Sequence, residues 1–103
     1  IRVLRGLGLT QAQIDTVLDG QSLVDHVRAE TYALVFTDVA MPTMNGIAAT
    51  RAIRAFNREV PIYVLSGDDY AQQALAAGAT GFYTKPVERD TLVTLINCYF
   101  PFP

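Results

Sequence analysis

The stretch Tyr32–Gly46, YALVFTDVAMPTMNG, decides the fold of this chain. Apolar residues dominate it up to Asp38, and a turn containing Pro42 and Asn45 follows. A nearly continuous apolar run indicates a strand that is covered on both faces, as in a parallel sheet. A carboxylate at the carboxyl end of such a strand lies where open α/β sheets bind their ligands. We therefore interpret Asp38 as a candidate for chemistry rather than for solubility.

The hydrophobic pattern on either side of this stretch alternates strands with helices. Short runs rich in Val, Leu and Ile predict strands at 14–18, 33–37, 62–65 and 81–84. Amphipathic patterns predict helices at 22–29, 46–56, 70–77 and 88–99. Strands that alternate with helices indicate βαβ units with right-handed crossovers. The predicted class is a doubly wound parallel α/β sheet.

Length and composition set the outer bounds of function. The chain has 103 residues, half of them apolar, and a net charge of −2, which is typical of one soluble domain with a single core. No apolar stretch approaches the roughly 20 residues of a membrane helix, and no signal-peptide pattern opens the chain, so we expect a cytoplasmic location and no membrane contact. The mild acidity also argues against nucleic-acid binding by this domain.

Histidine and cysteine occur once each, and this excludes several kinds of site. His26 is the single histidine and Cys98 the single cysteine. A Ser-His-Asp arrangement is therefore not indicated, and a multi-histidine metal site is excluded. A lone cysteine in a predicted helix is more often a buried structural thiol than a reactive one, so we expect Cys98 to be buried.

Three motifs follow one another at a particular spacing. They are Asp38-x-x-Met-Pro-x-Met-Asn-Gly46, Val64-Leu-Ser-Gly67 and Ala77-Gly-Ala-x-Gly-Phe-x-x-Lys-Pro86. In this order, the chain resembles the receiver domain of two-component signalling, the CheY-like family. The resemblance covers nearly the whole chain. It implies a five-stranded parallel sheet of order 2-1-3-4-5 with helices on both faces.

The resemblance also implies a set of phosphoryl-binding residues. Asp38 would be the phosphoacceptor, while Lys85 and the Ser66 hydroxyl would bind phosphoryl oxygens. The backbone N–H groups of Val39 and Gly67 would complete the cradle. The chemistry requires such a set, because an ionised carboxylate that attacks an anionic phosphoryl group needs positive charge and donors around it.

Further roles come from the same resemblance. Mg²⁺ would be bound by the Asp38 carboxylate, by the backbone carbonyl of Ala40 and by an acidic pair expected upstream of Ile1. Phe82 occupies the position of an aromatic switch, although as a strand residue it could equally be fixed core. The peptide bond before Pro86 is expected to be cis. Two neighbouring acids, Asp68 and Asp69, are expected to cap the next helix rather than bind metal.

The sequence departs from the family pattern in two places. Counting back from Asp38 puts the acidic pair and the first strand before Ile1, and residues 1–8 have the apolar pattern of the end of the first helix. We therefore expect residues 1–103 to be a single, N-terminally incomplete receiver domain. Between Ser66 and Gly78 the family usually has about three more residues, close to one helical turn. Either a short helix or residues missing from this sequence would account for the difference.

The predicted function is acceptance of a phosphoryl group from a histidine kinase or a histidine phosphotransfer domain. Such a domain is a phosphoacceptor rather than a turnover enzyme. Residues 45–54 most resemble receivers fused to hybrid histidine kinases, which would place the domain on the cytoplasmic side of a membrane; a free-standing response regulator is the alternative. The apolar tail at 96–102 indicates either a receiver–receiver or receiver–kinase contact, or local packing in which Tyr99 and Phe100 close the last helix onto the sheet.

Three other functions share features with this sequence. A pseudo-receiver that binds partners without phosphorylation remains open, since the acidic pair does not lie in the sequence. A phosphatase of the haloacid dehalogenase type requires a second acid two residues after the nucleophile, where this chain has Ala40. A flavodoxin-like FMN carrier shares the predicted topology, but no hydroxyl-rich phosphate loop is visible.

Overall fold

A computed structural model describes residues 2–5, 14–16, 19–29, 32–88, 90–91, 94–95 and 98. The strands are β1 (Arg2–Arg5), β2 (Ile14–Thr16), β3 (Tyr32–Asp38), β4 (Ile62–Ser66) and β5 (Gly81–Thr84). The helices are α1 (Gly20–Ala29), α2 (Gly46–Arg54) and α3 (Ala71–Ala76). One sheet contains all five strands in the order β2-β1-β3-β4-β5.

Three strands form the parallel part of the sheet and define its functional edge. β4 pairs in parallel with β3 on one side and with β5 on the other, with Asp38 opposite Leu65 and Ser66 opposite Thr84. Parallel strands end at the same edge, so the residues that follow β3, β4 and β5 meet there. This carboxyl edge carries the candidate site.

The core lies between the sheet and its helices. Val35, Ile62 and Val64 on the strands are fully buried, and Leu23 on α1 and Ile53 on α2 belong to the same buried cluster. β3 and β4 consist mostly of buried residues, as expected for strands covered on both faces. Burial of these side chains stabilises the sheet by about 1.5–3 kcal/mol for each large apolar residue.

The fold class and strand order agree with the prediction, but the first strand differs from it. Arg2–Arg5 is a strand, where the end of a helix was expected, and it runs antiparallel to both β2 and β3. The expectation that these residues end a helix is therefore wrong, and the sheet is not wholly parallel at this position. An empty central position would leave two rows of backbone groups unpaired at about 1–3 kcal/mol per group, and an antiparallel strand satisfies them as well as a parallel one.

The other elements lie close to their predicted positions. β5 has the predicted bounds, β3 and β4 extend slightly further than predicted, and α2 ends at Arg54 instead of residue 56. α3 has six residues, which accords with the short segment between Ser66 and Gly78. In the region of the predicted helix at 88–99, the described positions 90–91, 94–95 and 98 are helical. The apolar tail at 96–102 lies outside the described residues except for Cys98.

Two further features concern the single cysteine and the lengths of the helices. Cys98 is a free, exposed thiol, so the prediction of burial is wrong; helical periodicity did not specify which face Cys98 takes. Within the described residues, no helix has the length and apolarity needed to cross a membrane.

Candidate functional site

The predicted phosphoacceptor and the predicted lysine are brought together at the carboxyl edge. Asp38 is the last residue of β3, and Lys85 directly follows β5. Lys85 Nζ lies 2.5 Å from Asp38 Oδ1, and the two side chains are 46% and 34% exposed. The ion pair therefore forms at the surface of the crevice, where an incoming anionic group can reach both partners.

Ser66 lies between these two residues, at the end of the central parallel strand. It is buried, and its hydroxyl oxygen accepts a hydrogen bond of 3.1 Å from the Asp68 backbone N–H. A hydroxyl that accepts one bond still has its own proton to donate. Ser66 can thus offer an O–H donor at the site while its oxygen is held by the following turn.

The main chain around Lys85 is fixed to the same strand end. The Lys85 N–H donates to the Ser66 carbonyl oxygen at 2.7 Å, and the Lys85–Pro86 peptide bond is cis. The backbone bond extends the pairing of β4 with β5 by one residue. It therefore ties the start of the lysine side chain to the position of Ser66.

The turn after Asp38 ends at Gly46, where the start of α2 approaches the end of β3 too closely for a side chain. Its N–H donates to the Val39 carbonyl oxygen at 2.9 Å, and a Cβ on Gly46 would overlap the Asp38 carbonyl oxygen. A side chain at this position would push the start of α2 away from the end of β3. The adjacent Asn45 caps α2 by accepting a bond of 2.8 Å from the Ala48 N–H.

The two backbone N–H groups predicted for the phosphoryl cradle, those of Val39 and Gly67, lie in different surroundings. The Val39 N–H donates to the Leu65 carbonyl oxygen at 3.1 Å, so in this structure it completes the sheet. A phosphoryl oxygen would have to compete with that carbonyl for the amide. Gly67 is exposed, and a Cβ built on it meets no atom within 4 Å, so there is open space beside Ser66.

Three other predicted residues occupy distinct places. Asp69 accepts a bond of 3.1 Å from the Ala71 N–H, as expected for a residue that helps begin α3, whereas the structure assigns no such bond to the Asp68 carboxylate. The N-cap position itself is Tyr70, without a side-chain capping bond. Phe82 is partly buried and packs against the core cluster, an arrangement compatible with both a switch and a fixed core residue.

The described residues do not complete a metal site. None of their His, Cys, Asp and Glu side chains form a group of three or more that could hold an ion. Asp38 can supply a carboxylate and Ala40 a carbonyl oxygen, which are ligands that Mg²⁺ accepts, but a protein-bound Mg²⁺ usually has more than one carboxylate or a substrate phosphate. The acidic pair expected upstream of Ile1 lies outside the sequence.

A further hydrogen-bonded cluster joins the turn after Asp38 to the start of α1. Thr43 has a left-handed backbone with φ of 62°, and its hydroxyl donates to Asp19 Oδ1 at 3.2 Å and accepts from the Gln21 N–H at 3.3 Å. Asp19 also accepts a bond of 2.8 Å from the Ser22 N–H. This backbone bond is the main cause that lowers the pKa of Asp19. Asp19 belongs to none of the three motifs, and its one sequence signal is its place just before a helix, where an Asp is typical of a cap.

Comparison with known proteins identifies the family. A family model described as the response regulator receiver domain matches residues 2–97. The chain therefore belongs to the response regulator receiver domains, whose members include response regulators and the receivers of hybrid kinases.

Three relatives illustrate this membership. The transcriptional regulatory protein ZraR of Escherichia coli is 33% identical over 93 residues, covering 87% of this chain and 20% of that protein. The receiver domain of the sensor histidine kinase PA1611 from Pseudomonas aeruginosa, solved with magnesium in its active-site cleft, has a TM-score of 0.73 and 28% identity, over 84% of this chain and 75% of that one.

The third relative was solved with a partner. The receiver domain of the response regulator Ssk1 from Saccharomyces cerevisiae, in complex with the histidine phosphotransfer protein Ypd1, has a TM-score of 0.71 and 26% identity, over 79% of this chain and 66% of that chain. This chain spans about a fifth of the length of ZraR.

Proposed function

We propose that this chain is a phosphoacceptor receiver domain in which Asp38 takes a phosphoryl group from a phosphohistidine. The observation that carries the proposal is the convergence of Asp38, Ser66 and Lys85 at one edge of the parallel strands, with Lys85 paired directly to the carboxylate. Family membership supports the same assignment.

In the proposed reaction, one carboxylate oxygen of Asp38 attacks phosphorus while the bond between phosphorus and the donor's imidazole nitrogen breaks. The electron pair of that bond returns to the imidazole, which then takes up a proton. The phosphoryl group arrives with its own negative charge, so a cation must offset the repulsion between the two anions. Lys85 provides that charge, and the Ser66 hydroxyl can donate to a phosphoryl oxygen.

The donor would be a histidine kinase or a histidine phosphotransfer domain. The Ssk1 receiver is bound to such a phosphotransfer protein, and the PA1611 receiver comes from a sensor kinase. The half-exposed ion pair and the open space at Gly67 leave the crevice accessible to a phosphohistidine on another protein. We infer that the chain acts as one step of a phosphorelay, on the cytoplasmic side of a membrane if its parent is a hybrid kinase.

The proposal includes Mg²⁺ only as an expected requirement. Asp38 and the Ala40 carbonyl would be this chain's ligands, and the ion would help to neutralise the transferring group. Because the described residues do not complete a site, the roles of Lys85 and Ser66 are derived without the metal.

Substitution of the acceptor tests the proposal. The chain incubated with Mg²⁺ and acetyl phosphate should gain one phosphoryl group, measured by intact-mass spectrometry, and Asp38→Asn should gain none. Asn keeps the size and the polarity of the side chain, so the fold should be retained, which circular dichroism can check. Equal incorporation by Asp38→Asn would contradict the assignment of Asp38 as acceptor.

One observation keeps a second function in view. The described residues contain no acidic cluster beside Asp38, as in a pseudo-receiver that binds partners without phosphorylation. Such a protein would bind a phosphotransfer domain equally well with Asp38→Asn, and it would not be labelled by acetyl phosphate under any Mg²⁺ concentration. The same experiment therefore separates the two functions.

A further inference from the structure

Thr37 is a buried polar residue that the proposed reaction does not use. Its side chain is 1% exposed and precedes the phosphoacceptor on β3. Its hydroxyl donates to the Asp38 carbonyl oxygen at 3.1 Å and lies 3.8 Å from Met41 Sδ. A buried hydroxyl costs free energy unless it is hydrogen-bonded, so a polar residue inside this apolar strand needs a reason.

The Thr37 hydroxyl holds one end of the peptide unit that joins Asp38 to Val39. At the other end of the same unit, the Val39 N–H donates to the Leu65 carbonyl oxygen at 3.1 Å. The rotation of this peptide plane is therefore restrained from both sides, by a side chain of β3 and by the backbone of β4. The orientation of the plane in turn fixes where the Asp38 side chain leaves the main chain.

Gly46 closes the third side of this arrangement. A Cβ on Gly46 would overlap the Asp38 carbonyl oxygen and would lie 2.9 Å from Thr37 Oγ1. The start of α2 therefore packs directly against the bond between Thr37 and Asp38. Movement of the Asp38 carbonyl toward the helix is blocked, and movement away from it breaks the Thr37 bond.

We propose that Thr37 is a positioning residue for the phosphoacceptor. Its hydroxyl fixes the Asp38–Val39 peptide unit so that the carboxylate faces Lys85 and the crevice. Thr37 does not contact the phosphoryl group in this proposal; it acts through the backbone of Asp38. The inference rests on the proposed function of Asp38 and deepens it.

The test compares three variants of the whole chain. Thr37→Val keeps the shape and removes the hydroxyl, whereas Thr37→Ser keeps the hydroxyl. Thr50→Val is the matched control, because Thr50 is equally buried and its hydroxyl donates to the Gly46 carbonyl oxygen at 2.7 Å, on the helix side of the same glycine. Both valine variants lose one buried hydroxyl and its hydrogen bond.

The first readout is the rate of phosphoryl incorporation from acetyl phosphate. Thr37→Val should be slower by about 10-fold, since small displacements of a reacting group cost factors of this order or more. Thr37→Ser should recover most of the rate, and Thr50→Val should stay within about 2-fold of the unsubstituted chain. A general loss of stability would slow both valine variants alike, and that result would overturn the proposal, as would an unchanged rate in Thr37→Val.

The second readout does not depend on phosphorylation. Amide hydrogen exchange at Val39 should speed up in Thr37→Val and not in Thr37→Ser or Thr50→Val, because only the first variant frees the peptide unit. If the unsubstituted chain takes up no phosphoryl group, the proposed function fails, and this readout alone decides whether Thr37 positions Asp38. Unchanged exchange at Val39 in Thr37→Val would overturn the positioning role.

Discussion

Each edge of the parallel part of the sheet has a cationic side chain, but the two side chains bind different kinds of partner. At the carboxyl edge, Lys85 pairs with the Asp38 carboxylate, and both side chains are partly exposed. At the amino edge, where β4 and β5 begin, the Arg54 guanidinium donates to the carbonyl oxygens of Gly78 at 2.7 Å and Asn57 at 3.1 Å. Lys85 contacts a carboxylate and can turn from it to another anion that enters the crevice. Arg54 contacts neutral backbone carbonyl groups that stay in place.

This difference separates a reactive edge from a structural one. The Arg54 guanidinium also reaches Thr80 Oγ1 at 3.5 Å, so its planar fork joins the end of α2 to the segment between α3 and β5. Its partial burial lowers the pKa of Arg54, although an arginine stays charged near neutral pH. A lysine is a mobile point charge with no fixed geometry, which suits a partner that arrives and leaves.

Loss of Lys85 should therefore affect the reaction and not the fold. We expect Lys85→Ala to lower the rate of phosphoryl incorporation by about 100-fold, because a group that stabilises developing charge contributes factors of this order. The free energy of unfolding should change by no more than about 1 kcal/mol, since exposed ion pairs contribute little. Acetyl phosphate labelling and urea unfolding of the same preparation measure both quantities.

A different result for Lys85→Ala would contradict the distinction between the two edges. If Lys85→Ala were labelled at the normal rate but unfolded at a much lower urea concentration, the ion pair would be structural and the carboxyl edge would not differ in kind from the amino edge. Lys85→Gln serves as the matched control, because it keeps a polar side chain of similar reach without the charge. It should be as slow as Lys85→Ala.

Loss of Arg54 should give the reverse pattern. Arg54→Ala leaves the Gly78 and Asn57 carbonyl oxygens without their guanidinium donor, and we expect it to lower the free energy of unfolding by about 1–3 kcal/mol. Phosphoryl incorporation should stay within about 2-fold, since the substitution lies at the other edge of the sheet. Arg54→Lys keeps the charge without the planar fork and should recover less than half of the lost stability. Full recovery by lysine would show that charge, rather than geometry, matters at this edge.

The sequence predicts the carboxyl edge far better than the amino edge. Asp38, Ser66 and Lys85 lie in three motifs whose spacing places them at neighbouring strand ends, and the structure brings Lys85 to Asp38 as that spacing implies. Arg54 carries no such signal, because an arginine at the end of an amphipathic helix is usually a solvated side chain. Its partners are backbone carbonyls, which any residue supplies, so the pattern of side chains does not reveal them.

Two other features escaped prediction for physical reasons. The antiparallel direction of β1 follows from tertiary pairing, because a short strand can satisfy its neighbours in either direction. The position of Thr37 beside the Asp38 carbonyl depends on the close approach of Gly46, which joins residues nine apart in the sequence through the turn between them. Periodicity identifies β3 but predicted the end of a helix at β1, and it specifies neither the direction of pairing nor the path of this turn.

The smallest expected effect concerns Asp19, which anchors the turn after Asp38 to α1 and belongs to the carboxyl edge. The Ser22 N–H holds the pKa of Asp19 below its ordinary value of 3.8.

A carboxyl group whose pKa is lower in the folded state stabilises the fold above its unfolded pKa, and this contribution is lost as the pH falls through the folded pKa. Asn keeps the Oδ1 acceptor for the Ser22 N–H and the Thr43 hydroxyl, but it loses the charge and the Oδ2 acceptor, to which the Ser22 hydroxyl donates at 3.2 Å. Asp19→Asn should therefore be less stable than the unsubstituted chain when the pH is above the ordinary pKa of 3.8, and the difference should shrink as the pH falls through the lowered pKa of Asp19, measured by urea unfolding as a function of pH. Asp25→Asn removes a negative charge from α1, the helix that follows Asp19, and controls for net charge. An equal pH dependence in the two variants would contradict the assignment of the effect to the hydrogen bond from Ser22.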